Sequence, residues 1–268
     1  MEITQAILQI LTAIVVSFFL SVLAMRTIKL TGADLKDVKQ RNRKDVLVIA
    51  AIFNVLFIII VSILLKFWNH QSISRLGFSF ANKDIVLSVL TFTFTTGLAF
   101  LFISYLNRKK IISVSFVKNY FYHATGLSNL LLAFVVLFIA AFQEEILFRG
   151  YFALVLFPFG LISALIISSL AFTFWHYLTN KVRFYQTLDW FMGGIMLFLI
   201  YWLSGSIWVA TIVHFSRNFI NVTVFNISSS NAIVIYNKPI PSKYKSIYTI
   251  ANSLVLVLTV YFYYYQYS

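Results

Sequence analysis

Residues 130–152 read LLLAFVVLFIAAFQEEILFRGYF, and the fold turns on how this stretch is interpreted. It opens as an unbroken apolar run, of the kind a helix needs over about 20 residues to cross a bilayer. It then meets Glu144, Glu145 and Arg149. Ionisable residues enter a bilayer at a cost of roughly 2.5–3.5 kcal/mol each, so a span that ends in three of them needs a reason for keeping them.

The rest of the chain repeats the apolar pattern without the charges. Of its 268 residues 60% are hydrophobic and 11% charged, with a mean hydropathy of +0.88. A soluble domain carries about 25% charged residues, so this composition cannot cover a surface facing water on all sides. Eight apolar runs are long enough to be spans: about 4–25, 46–67, 84–106, 127–148, 160–178, 188–204, 206–226 and 247–264. The expected fold is therefore all-α, a polytopic integral membrane bundle of about eight transmembrane helices. It forms a single domain over 1–268 and sits in the cell membrane as a multi-pass protein. Ser204-Gly205-Ser206 predicts a tight helical hairpin between spans six and seven. The first run begins after Met1-Glu2 with no basic leader and no small-residue cleavage site, so it reads as a retained anchor.

The net charge of +13 belongs to the connections. Sixteen Lys and Arg fall in the connections after spans one, three, five and seven, against three (Lys66, Arg75, Lys83) in those on the other side. This predicts both termini outside and the basic connections cytoplasmic, with anionic lipid rather than nucleic acid as their partner. Residues 111–123, mixing aromatic and basic side chains, read as an amphipathic segment lying on the membrane. The absence of cysteine excludes disulfides, thiolate metal sites and a cysteine nucleophile.

Six of the eight acids lie outside the spans or at their edges, Asp84 and Asp189 among them. Glu144 and Glu145 do not. Glu145 precedes Arg149 by four residues, the favourable order for a helical ion pair. Glu144 is turned about 100° away and has no local counter-charge, the setting of a general acid or base. Two of the four histidines, His70 and His123, lie in connections. His176, one turn after Phe172, and His214, one turn before Asn218, lie in spans. Polar groups that are each costly in hydrocarbon converge, and convergence on three spans builds a site. Asn54 in span two reads as an interhelical hydrogen bond. Gly193-Gly194 reads as a close helix contact, and the sequon at Asn221 is buried in a span and so unusable.

The motifs EExxxR (Glu144, Glu145, Arg149), FxxxH (Phe172, His176) and HxxxN (His214, Asn218) stand in order in consecutive spans. With RGYF after the first and the glycine pair before the last, they resemble the CAAX-protease and bacteriocin-processing (CPBP) family of intramembrane endopeptidases over about residues 127–224. The resemblance implies that Glu144, with His176, activates a water for attack on a peptide carbonyl. It implies that His214 and Asn218 stabilise the oxyanion, and that Glu145 and Arg149 hold the helix and orient the first carboxylate. The implied substrate is a prenylated tail, a leader-bearing protein or a small peptide. The Ile-, Asn-, Lys- and Phe-rich composition suggests a bacterial gene.

Glu144, His176 and His214 also have the His₂Glu count of a catalytic zinc. No HExxH pair is present, and Glu145 could act as base only by leaving Arg149. The favoured expectation is therefore no cofactor, with one zinc ion as the alternative. A non-catalytic immunity or partner-binding protein is the other reading; a transporter is disfavoured because no inverted repeat is visible. Counted as straight helices, His176 and Glu144 fall at different depths. The preferred remedy is a segment around 176–187 that re-enters the bundle.

Overall fold

The computed structural model describes residues 2–34, 43–116, 124–179, 184–225, 227 and 233–267. Three long helices come first: α1 (Ile3–Leu30), α2 (Lys44–Phe67) and α3 (Asn82–Arg108). In hydrocarbon every backbone N–H and C=O must be satisfied within the segment, so apolar runs of this length can only be helical. Their polar side chains obey the same constraint. In α3, Ser88 and Thr91 donate to the carbonyls of Asp84 (2.6 Å) and Leu87 (2.9 Å). Large apolar residues such as Phe19, Ile52 and Leu101 remain on the outer faces, where lipid takes the place of water.

The fourth passage is composite. Helix α4 (Ala124–Glu145) runs into a π-helical turn (Ile146–Tyr151), then α5 (Phe152–Leu156), then a 3₁₀ turn (Phe157–Phe159) ending at Gly160. Helices α6 (Leu161–Thr179) and α7 (Phe184–Ser204) follow. Next come α8 (Ile207–Asn218), a second π-helical turn (Phe219–Val224) and α9 (Ser242–Tyr267). Eight helical passages result among the described residues. Six are long and apolar enough to span a bilayer, including 130–159 as one unit, while the apolar part of α6 (161–177) is shorter. The chain is a multi-pass membrane protein.

Connections join at both ends of the bundle. The hairpin expected at Ser204-Gly205-Ser206 is present, and the α2–α3 connection docks onto it. Ile207 N–H donates to the Gly77 carbonyl (2.8 Å), Ser206 to that of Ser79 (2.8 Å) and the Trp208 indole to that of Phe78 (3.2 Å). Gly77 has φ +77° and a Cβ there would lie 2.2 Å from the Gly205 carbonyl oxygen, so no other residue fits. Elsewhere β1 (Val114–Phe116) pairs antiparallel with β2 (Val234–Tyr236), tying the α3–α4 and α8–α9 connections together. The amphipathic segment expected over 111–123 is thus, up to residue 116, a turn and a paired strand. Backbone pairing with β2 wins over lying flat on lipid. Residues 117–123, with His123, lie outside the described residues, whereas His70 is exposed in its connection.

The depth mismatch resolves differently from the expectation. His176 lies in the regular helix α6 and residues 184–187 already belong to α7, so no re-entrant backbone occurs among the described residues. The fourth span instead runs over 130–159, longer than 127–148. The charges at 144–149 looked like its end, but the helix carries them to mid-span and continues to Phe159. Glu144 lies sixteen residues before Gly160 and His176 sixteen after it. At equal counts from the turn, the two arms of the hairpin reach equal depth.

Candidate active site

Both π-helical turns begin beside motif residues, one directly after Glu145 and one directly after Asn218. A π turn widens the helix by one residue and re-aims the side chains around it, which is why such turns collect at functional sites. Here the first turn contains Arg149 and the second follows the helix that bears His214.

Glu145, Arg149 and His214 form one dehydrated cluster. The side chains of Glu145 and Arg149 are fully buried, and Arg149 Nη1 lies 3.1 Å from Glu145 Oε1. The same oxygen lies 2.7 Å from His214 Nδ1. A carboxylate ionised against Arg149 only accepts hydrogen bonds, so this contact puts a proton on Nδ1. Arg149 is held from two further directions. Its Nη2 donates to the Gly194 carbonyl (3.2 Å) and its Cζ lies 4.4 Å from the centre of the Phe172 ring, a cation–π contact. A Cβ at Gly194 would stand 3.1 Å from Ser169 Cα, a tight contact, so the glycine eases the close packing of α7 on α6. The glycine pair therefore does more than allow helices to touch, because it also presents a carbonyl to the buried guanidinium.

Glu144 occupies a different environment. Its side chain keeps 18% exposure, and Oε2 faces His214 Nε2 at 3.7 Å, beyond hydrogen-bond length. That oxygen is buried and has no hydrogen-bond partner among the described residues. His214 therefore stands between the two carboxylates, bonded to Glu145 through one nitrogen and turned to Glu144 with the other. The expected role of Glu145 was to hold the helix and orient Glu144; the contact with His214 is additional to it.

His176 reaches the cluster through Phe172. Its Nδ1 is 2.9 Å from the Phe172 carbonyl oxygen, and the Phe172 ring centre lies 4.6 Å from that of His176 and 5.9 Å from that of His214. Trp190 of α7 stacks on the other side of His176 at 5.0 Å. Asn218 is half-buried one turn beyond His214 on the same face of α8 and makes no hydrogen bond among the described residues. All six expected residues thus lie on α4 with its π turn, on α6 and on α8. Among the described residues, no three His, Asp or Glu side chains group closely enough to hold a metal ion.

A second polar cluster escaped the sequence reading. Asp189, expected at a span edge, lies inside α7 and pairs with Arg217 of α8, and Thr249 of α9 donates to the same carboxylate at 2.5 Å. Beside it the Tyr248 hydroxyl donates to Asn221 (2.7 Å), which leaves the sequon asparagine buried. An arginine inside a span requires an acid, and that requirement was the available signal.

Residues 126–220, about a third of the chain, match the model of a family described as type II CAAX prenyl endopeptidase, Rce1-like. No curated protein and no solved structure matches the chain.

Proposed function

From the premise that residues 126–220 belong to the Rce1-like type II CAAX prenyl endopeptidases of the CPBP family, we propose that this chain is an intramembrane endopeptidase in which Glu144 is the general base. The supporting observation is the division of labour between the adjacent carboxylates. Each carboxylate keeps one buried oxygen without a partner, but Glu145 is tied through its other oxygen to Arg149 and His214, whereas Glu144 makes no hydrogen bond among the described residues and faces His214 at 3.7 Å. A buried polar atom left unpaired costs about 1–3 kcal/mol, which is worth keeping where a water or substrate uses the atom.

In the reaction a water beside Glu144 and His176 gives a proton to the Glu144 carboxylate while its oxygen bonds to the peptide carbonyl carbon. The carbonyl oxygen takes the negative charge and accepts hydrogen bonds from the Asn218 amide and from His214 Nε2. Nε2 donates when the ring carries both protons, a form whose charge faces the Glu145 carboxylate. Collapse of the tetrahedral carbon breaks the C–N bond, and Glu144 returns the proton to the leaving amine. The products are a carboxylic acid and an amine, which exchange the remaining proton and separate as carboxylate and ammonium. No step passes through a metal. The engagement of Glu145 by two partners supports this, because a zinc held by Glu144 would need Glu145 as its base. The substrate is a peptide or protein segment that reaches this depth of the bilayer.

Glu144→Gln keeps the shape and removes the base. Peptide cleavage should fall by at least about 10²-fold, as general-base catalysis contributes 10²–10⁴-fold, while the protein still inserts and melts as the wild type does. Turnover retained above about one tenth would refute the assignment.

A further inference from the structure

A cavity of about 200 Å³ lies beside the cluster, walled by Leu20 and Ala24 of α1, Ala50, Phe53 and Asn54 of α2, and Gln143 of α4. Its walls are apolar except for the amides and Ser21. Gln143 is only 6% exposed, and neither it nor Asn54 has a hydrogen-bond partner among the described residues. Asn54, expected to bond across helices, lines this space instead. The cavity also adjoins the proposed chemistry from two directions. Gln143 immediately precedes Glu144, and Phe57, which lines the cavity, packs on Trp175 (6.3 Å between ring centres), the neighbour of His176.

We infer that this cavity is a substrate subsite, taking one apolar residue of the peptide beside the cleaved bond and pairing that residue's peptide group with Gln143 and Asn54. The inference rests on the hydrolytic reading above and extends it to substrate choice. The volume falls below the roughly 300–1,000 Å³ of a site for a whole small ligand and suits a single side chain with its backbone. The amides decide the chemistry of the occupant. Each offers donors and an acceptor, and an unpaired amide surrounded by apolar groups is costly. A lipid chain has no group along its length to pair with either of them, whereas every peptide unit brings one N–H and one C=O. Two cavity walls, α1 and α2, lie outside the family-matched segment. Substrate selection would then reside in helices without the family motifs, and chemistry in those with them.

The test uses the full chain in detergent and synthetic peptides that differ at one position (Ala, Leu or Phe), some carrying a benzophenone there. With Glu144→Gln, photo-crosslinks should map to α1 and α2 around the cavity. In the otherwise wild-type chain, Ala50→Leu should raise KM about tenfold or more for Phe peptides relative to Ala peptides. Ala24→Leu on the opposite wall should reproduce the shift, which separates occupancy from a folding defect at one site. Gln143→Leu should raise KM about fivefold to tenfold for all peptides, the effect of losing one or two net hydrogen bonds, and the change should fall on KM rather than kcat. Crosslinks into the cavity without cleavage would retain the subsite and refute the hydrolysis. Cleavage with unchanged KM and size preference in both filling variants would refute the subsite and retain the hydrolysis, as would a lipid adduct lost in Ala50→Leu without any change in peptide KM. Absence of both cleavage and cavity crosslinks would overturn the subsite.

Discussion

Among the described residues, two carboxylate–arginine pairs sit inside the bundle, and they are built on opposite plans. Glu145–Arg149 lies within one helical passage, four residues apart, with both side chains fully buried. Asp189–Arg217 joins α7 to α8 across 28 residues, its side chains 25% and 9% exposed, and reaches α9 through Thr249. The first pair shares an oxygen with His214. The second seizes Arg217, three residues further along the same helix. Helix α8 is therefore gripped from two sides, by a dry local pair that touches His214 and by a wetter pair assembled from three helices. Burial decides how much each pair costs to break, and locality decides whether it can be seen in a sequence.

The sharpest way to break the comparison is to cut the dry pair. Arg149→Ala or Glu145→Ala strands a charge in a low-dielectric interior, where loss of one partner costs roughly 3–5 kcal/mol. Glu145→Ala also releases His214 from its orientation, so activity falls with stability. The double variant should be less destabilised than the sum of the two, because neither charge is then left alone. Thermal melts in detergent read this directly. Strictly additive shifts would mean that the two residues do not act as a pair.

Next comes Asn218, one turn beyond His214 on α8. In its proposed role as an oxyanion donor it would act on the transition state, so Asn218→Ala should lower kcat by about 10²–10³-fold with little change in KM. Turnover should survive prolonged chelation, and added Zn²⁺ should not raise it. Activity lost with zinc and regained with it would show that the roles of His176 and His214 were misassigned.

The wetter pair should matter less. Asp189→Asn keeps the shape but removes the charge, and hydrogen bonds to charged groups are worth about 1.5–3 kcal/mol. Exchanging the partners, Asp189→Arg with Arg217→Asp, should recover part of the loss in melting temperature and in kcat if the pair positions α8. If each single change costs as much as Arg149→Ala, burial does not separate the two pairs.

What could be read from the chain follows the same division. The eight helical passages were legible because hydrocarbon permits a long apolar run no other structure. Glu145–Arg149 was legible because both partners lie on one turn of one helix. The end of the fourth span was not, since charge at 144–149 imitates a boundary and only the continuation of the helical passage to Phe159 places it mid-span. The Glu145–His214 contact joins residues 69 apart, and no periodicity records which of two neighbouring carboxylates a distant imidazole will choose. The strand at 114–116 depends wholly on its partner at 234–236, so its local composition suggested a surface segment.

Thr249 gives the finest test of the comparison. Its hydroxyl donates to Asp189 Oδ1 at 2.5 Å, the oxygen that also receives Arg217, and it is the link from α9 to a pair otherwise made by α7 and α8. Thr249→Val preserves volume and branching and deletes only the donor. Interhelical hydrogen bonds in membrane proteins average about 0.6 kcal/mol and reach about 1.7, so the melting temperature should drop slightly. The drop should sit at the upper end of that range, because the acceptor is a carboxylate and charge-assisted bonds are the stronger ones. In an Asp189→Asn background the same substitution should cost less, since the acceptor is then neutral. An equal cost in both backgrounds would show that Thr249 contributes packing rather than a bond to the ion pair, and the second grip on α8 would reduce to two helices.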